Sequence, residues 1–117
     1  MVGIVEKEFF SNKEDFDGAI YVVDGETGEP IDATGLTDLK IQLEDPTTGT
    51  PELQGSYVGG EVVAQDLALG TFTFFFPATS TAKLMQQRYI FAGTFFKDGR
   101  TKTIFRARIT TYDGIVD

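Results

Sequence analysis

Three strand-like runs crowd the last third of the chain. Gly70–Pro77 reads GTFTFFFP, Arg88–Arg100 reads RYIFAGTFFKDGR, and Thr101–Tyr112 reads TKTIFRARITTY. Aromatic and β-branched residues at alternating positions suit a pleated surface with one buried face. Asp98-Gly99, between the last two runs, is a hairpin turn signal. Earlier segments repeat the pattern: Val2–Phe10 as an arm or edge strand, then Phe16–Asp24, Leu39–Asp45, Leu53–Val58 and Glu61–Asp66. Turn residues separate them, among them Asp45-Pro46-Thr47-Thr48-Gly49 and Gly59-Gly60. Short strands with turn signals every ~8–12 residues predict an all-β fold, a sandwich or a barrel. One segment breaks the rhythm. Ala78–Gln87 (ATSTAKLMQQ) follows Pro77 and holds helix formers, which predicts one short helical turn near 78–87 crossing between the sheets.

At 117 residues the chain suits one domain, and its eleven Phe and four Tyr can fill a core without disulfides. The expected organisation is an N-terminal arm or edge strand over 1–14, the sandwich over 15–112, and a C-terminal tail over 113–117.

The register of the last hairpin decides which residues reach that core. A two-residue loop mixes bulky residues between the two faces. A three-residue loop, with Gly99 in the left-handed region, pairs Phe96 with Arg100 and Phe91 with Phe105. This second register gathers Tyr89, Phe91, Gly93, Phe95, Phe105, Ala107 and Ile109 on one face, and it is the one expected. Its outward face holds Ile90, Ala92, Thr94, Phe96, Lys102, Ile104, Arg106 and Arg108. In the preceding strand Phe72, Phe74 and Phe76 point inward and Phe75 outward. An apolar stripe with arginines is composed like a contact surface, although scattered apolar residues are ordinary on monomers. The candidate interface residues are therefore Phe75, Ile90, Phe96, Lys102, Ile104, Arg106 and Arg108.

Recognisable reaction chemistry is absent. The chain contains no Cys and no His, which excludes a thiol nucleophile, a cysteine metal site and any Ser–His or Cys–His mechanism. Asp15 with Asp17, and Asp24 with Glu26 and Glu29, could be read as a weak Ca²⁺ site or a carboxylate pair. The Ca²⁺-loop spacing D-x-[DN]-x-[DN]-G is missing, so solvated turn carboxylates are the plainer reading. Gly25, Gly28, Gly59 and Gly60 lack the Lys-Ser/Thr pair of a phosphate cradle. No enzyme activity and no cofactor are expected.

The net charge of −8 is unevenly spread. Residues 1–66 carry fifteen acidic and three basic side chains, net −12; residues 67–117 carry three acidic and seven basic, net +4. Such a split serves solubility or head-to-tail docking between subunits. Basic residues interleave with aromatics late in the chain, as on single-strand nucleic-acid platforms. The overall acidity argues against nucleic acid as a partner. No stretch approaches the ~20 apolar residues of a membrane span, and Met1–Phe10 lacks the basic start and apolar run of a secretory signal.

The order of turns and strands resembles a family. Asp24-Gly25 with Gly28 and Pro30 leads to Ile31-Asp32-Ala33-Thr34-Gly35, then to a strand ending in Asp45-Pro46. Gly70-Thr71-Phe72-Thr73-Phe74, Pro77, Ala82 and Leu84 follow, then Arg88-Tyr89, Asp98-Gly99-Arg100 and Arg106-Ala107-Arg108. This resembles the small Ig-like β-sandwich virion proteins of tailed bacteriophages, of the baseplate-upper-protein N-terminal type, over roughly residues 16–112. In that family a D-G-x-P opening with D-L-T-G leads to a G-T-F-T strand and an R-Y-x-Y…D-G hairpin. Phe75 and Phe96 depart from it, standing where outward polar residues are expected. Residues 1–13 match no motif of the family. The resemblance implies an all-β, two-sheet antiparallel Ig-like sandwich and a non-enzymatic structural component of a phage particle, located in the virion and contacting other virion proteins and copies of itself. The rival expectation is a carbohydrate- or host-surface-binding module, which needs exposed aromatics on loops beside a groove.

Overall fold

The computed structural model describes residues 2–5, 9–11, 15–82, 84 and 87–112, with side chains left aside at 5, 9–11, 87 and 110–112. The strands are β1 (Val2–Val5), β2 (Phe9–Ser11), β3 (Phe16–Val23), β4 (Asp38–Glu44) and β5 (Pro51–Ser56). They continue with β6 (Val62–Asp66), β7 (Thr71–Phe76), β8 (Gln87–Lys97) and β9 (Arg100–Tyr112). One sheet has the order β1-β3-β7-β6 and the other β2-β9-β8-β4-β5. The first follows the A-B-E-D order of an immunoglobulin sheet, and β9-β8-β4-β5 follows the G-F-C-C′ order of the facing one. The protein is thus an all-β, two-sheet Ig-like sandwich. Its pairs are antiparallel except that β2 runs parallel to β9. The segment before residue 12 supplies an edge strand to each sheet, β1 against β3 and β2 against β9. The chain crosses from β7 to β8 through a single helical turn, α1 (Ala78–Thr81), within the predicted segment. The predicted tail 113–117 lies outside the described residues.

Alternation places Phe16, Ile20 and Val22 of β3 on the same inner face as Phe72, Phe74 and Phe76 of β7. Leu39, Ile41 and Leu43 of β4 meet them from the other sheet beside Tyr89, Phe91 and Phe95 of β8. The rings interlock across the sheets. Phe16 lies 5.1 Å from Phe74 and 5.1 Å from Phe91, both edge to face, and Phe91 lies 5.1 Å from Phe105.

The last hairpin departs from the expected register. Lys97 pairs with Arg100, so Asp98 and Gly99 form a two-residue turn, with φ of 54° and 73°. Two successive positive φ values suit the twist of a tight hairpin, and this local preference wins over the three-residue loop. A bulge then intervenes: Thr94 pairs with Thr103 but Gly93 with Phe105, leaving Ile104 unpaired. Below the bulge Phe91 faces Ala107, two positions from its expected partner Phe105. An even shift preserves faces. Tyr89, Phe91, Gly93, Phe95, Phe105 and Ile109 are accordingly buried as expected, while Ala107 is exposed. Above the bulge the parity inverts, with consequences for Lys102 and Ile104.

Gly70 closes the short 3-10 turn Leu67–Leu69 at the mouth of the sandwich. Its φ is +63°, and a β-carbon there would lie 2.5 Å from the Ile31 carbonyl oxygen and 2.8 Å from that of Val22. Both carbonyls are backbone and cannot step aside. Gly70→Ala is expected to destabilise the protein by about 1–3 kcal/mol, read as a lower urea midpoint at unchanged far-ultraviolet circular dichroism. An unchanged midpoint would contradict this tight closure.

Candidate functional site

The candidate interface residues do not form one surface. Phe75 lies on the outer face of the β1-β3-β7-β6 sheet, and the others belong to the opposite sheet. Among those, Ile104 is a correction: it is only 4% exposed. The bulge turns it inward with Phe105 beneath β1, where Gly3 leaves room; a β-carbon on Gly3 would sit 2.8 Å from Phe105 and 3.0 Å from Ile104. Lys102 is a second correction. It pairs with Phe95, so it shares the face of that inward ring at the hairpin end, away from Arg106 and Arg108.

What remains outward on β8 and β9 keeps Arg106 and Arg108 exposed, but its apolar members are half-buried or buried. Arg106 donates to Glu44, at 3.0 Å from Oε2, and the Gln42 side-chain amide donates to Glu44 Oε1 at 2.5 Å. Ala92, cross-strand from both Arg106 and Gln42, is only 6% exposed. Lys40 lies over the Phe96 ring, 5.3 Å from its centroid. Ile90 pairs with Arg108, and both line a small hollow with Arg88 and Pro46. Hydrogen-bonded polar chains thus overlie the stripe that looked apolar in the sequence.

The opposite face is different. Outward positions of β1, β3, β7 and β6 bring Ile4, Tyr21, Thr73, Val63 and Phe75 onto one sheet surface. Ile4 and Val63 are each 50% exposed and Phe75 is 49% exposed. Cross-strand pairs set Ile4 beside Tyr21, Ala19 beside Thr73, and Thr73 beside Val63. Asp17, the partner of Phe75, puts a carboxylate at one end. Rows of small and apolar residues over four strands, with a half-exposed ring at one corner, form one outward sheet face. Sequence reasoning found only Phe75 here. Val2, Ile4 and Val63 belong to short strands whose alternation is too brief to show a face.

Asp24 and Asp45 each build a turn, and Asp15 Oδ1 accepts the Ala78 N–H at 2.8 Å at the start of α1. Asp24 Oδ1 accepts the N–H groups of Glu26 at 2.8 Å and Thr27 at 3.0 Å, and Gly28 N–H closes onto the Asp24 carbonyl at 2.8 Å. Asp45 builds the same turn with Thr47, Thr48 and Gly49. The Thr27 and Glu26 amides hold the Asp24 carboxyl below its ordinary value. Its contribution to stability is therefore present above that ordinary value and is lost as pH falls through the lowered one. Buried Asp38 accepts Leu39 N–H at 2.9 Å and Val58 N–H at 3.1 Å, tying down the crossing from β5 to β6. Among the described residues, no three carboxylates converge as a metal site would require.

No family model matches the chain, and no curated protein matches it in sequence. Solved structures resemble it. CopC from Methylosinus trichosporium OB3b superposes with a TM-score of 0.53 at 12% identity, over 97% of each chain. Murine CRIg gives 0.49 at 10% identity over 98% of this chain and 100% of its own. The swine CD8αα homodimer gives 0.47 at 10% identity over the same shares. At 12% identity the likeness to CopC is one of fold alone.

Proposed function

We propose that the chain is a non-enzymatic structural component of a tailed-phage particle, acting through protein–protein contacts. The observation that carries the contact is the apolar outer face of the β1-β3-β7-β6 sheet. Its occupant is an apolar face of a neighbouring virion subunit, because a sheet face bearing Ile4, Val63 and Phe75 offers area and shape but little charge for recognition. The virion setting rests on the resemblance of residues 16–112 to phage sandwich proteins. The non-enzymatic character is supported by the absence of His and Cys and by the structural roles of Asp24, Asp38, Glu44 and Asp45. The rival glycan reading lacks support from the described aromatics: the half-exposed ring among them, Phe75, lies on a strand within a sheet face.

The test is Val63→Asp combined with Phe75→Asp. Both side chains already reach solvent, so folding should survive. A desolvated charge should nonetheless lower incorporation into particles at least ~10-fold. Incorporation at the parent level would remove this face from the contact. Specific sugar binding by a protein that never enters particles would remove the structural role itself.

A further inference from the structure

Two oppositely charged features project from one end of the sandwich, one from each sheet. The β8–β9 hairpin carries the basic one. Pairing of Lys97 with Arg100 and of Phe95 with Lys102 puts these side chains on one face. With Asp98 they line an open depression of about 620 Å³, floored by the buried Phe95 ring. Arg100 and Lys102 are exposed, and neither has a carboxylate within ion-pair distance among the described residues. The acidic feature is the turn after β3. Asp24 is consumed in closing it, which leaves the exposed Glu26 and Glu29 carboxylates without an ion-pair partner among the described residues.

The connector between them shows that they share an end. From the turn, the chain returns past Asp32, whose carbonyl accepts from Lys97 Nζ at 3.2 Å, and Thr37, whose N–H donates to the Phe96 carbonyl at 2.8 Å. It then enters β4 at Asp38, opposite Phe96. Acidic turn and basic hairpin stand side by side, one per sheet, with the connector between them.

We propose that the hairpin depression receives the acidic turn of a second copy of this chain, reciprocally, in a two-fold end-to-end pair. A two-fold axis running across the strands just beyond this end reverses both the long direction and the order of the sheets. It sets each copy's turn against the other's hairpin, and both contacts form together. Two identical contacts of opposite charge close the pair, so no open filament follows. Exposed ion pairs are individually weak. The association is accordingly modest, additive over the two contacts, and sensitive to salt. It is independent of the apolar sheet face, which lies along the flank.

The test is sedimentation equilibrium of the full chain, up to ~1 mM, in about 50 mM and about 500 mM salt. A dimer is expected whose dissociation constant rises on the order of tenfold between the two. Arg100→Glu with Lys102→Glu, and separately Glu26→Lys with Glu29→Lys, should each weaken self-association at least ~10-fold, because each puts like charges together. An equimolar mixture of the two variants should restore dimerisation to within about threefold of the parent, since both contacts are again complementary. Thermal unfolding of each variant checks that it folds. A parent monomeric throughout would overturn the proposal. So would a mixture that stays monomeric, or a dimer that ignores both variants; a dimer abolished only by Phe75→Asp would place self-association on the sheet face instead.

Discussion

Replacing Phe91 by alanine is expected to cost about 3–5 kcal/mol of stability. The residue is 1% exposed, and its ring contacts rings of both sheets: Phe16 at 5.1 Å, Phe74 at 5.2 Å and Phe105 at 5.1 Å. Those neighbours come from β3, β7 and β9, so the cavity would open where the sheets meet. Each neighbour is braced by the others, as Phe16 is stacked on Phe76 at 6.0 Å, which limits collapse into the space. Urea unfolding reads the effect. A cost below ~1 kcal/mol would mean that Phe91 is not at the centre of the sandwich.

Gly93→Ala is the second large effect, and it adds atoms where Phe91→Ala removes them. A β-carbon on Gly93 would lie 2.2, 2.5 and 2.9 Å from three atoms of the Phe105 ring. The ring lies flat across the glycine because the two residues pair directly below the bulge. It cannot swing away freely, being buried against Phe91. A loss of about 1–3 kcal/mol is expected from the forced displacement. Phe105→Leu in the same chain should return part of it, so that the two substitutions are not additive. Additive losses would show that ring and glycine do not touch.

The fold was legible wherever alternation ran long enough. β7 (Thr71–Phe76) falls within the Gly70–Pro77 run, and Phe72, Phe74 and Phe76 face inward with Phe75 outward, because rings at three alternate positions share one face of a strand. The last hairpin was half legible. Its faces survived a wrong register because the discrepancy below the bulge was two residues; above it the discrepancy was one, and Lys102 changed sides. Nothing in TKTIFRARITTY marks Ile104 as the extra residue. The bulge is explained by what lies over it, the glycine of β1, which is about a hundred positions away in sequence. The contact face was poorly legible for a similar reason. It is assembled from single outward residues of four strands, and only the sheet order β1-β3-β7-β6 brings Ile4, Val63 and Phe75 together. Conversely, the apolar members of the arginine face seemed bare because the sequence does not reveal that Lys40 lies over Phe96, or that Gln42 and Glu44 pair across from Ala92 and Ile90.

The proposal that the β1-β3-β7-β6 sheet carries the partner contact is tested most directly by hydroxyl-radical footprinting of the isolated protein and of the protein in the proposed phage particle. Phe75 and Tyr21 should lose most of their reactivity on assembly, while Phe96, shaded by Lys40 on the opposite sheet, should keep its own. Unchanged reactivity at Phe75 with protection at Phe96 would contradict the account and return the contact to the β9-β8-β4-β5 face.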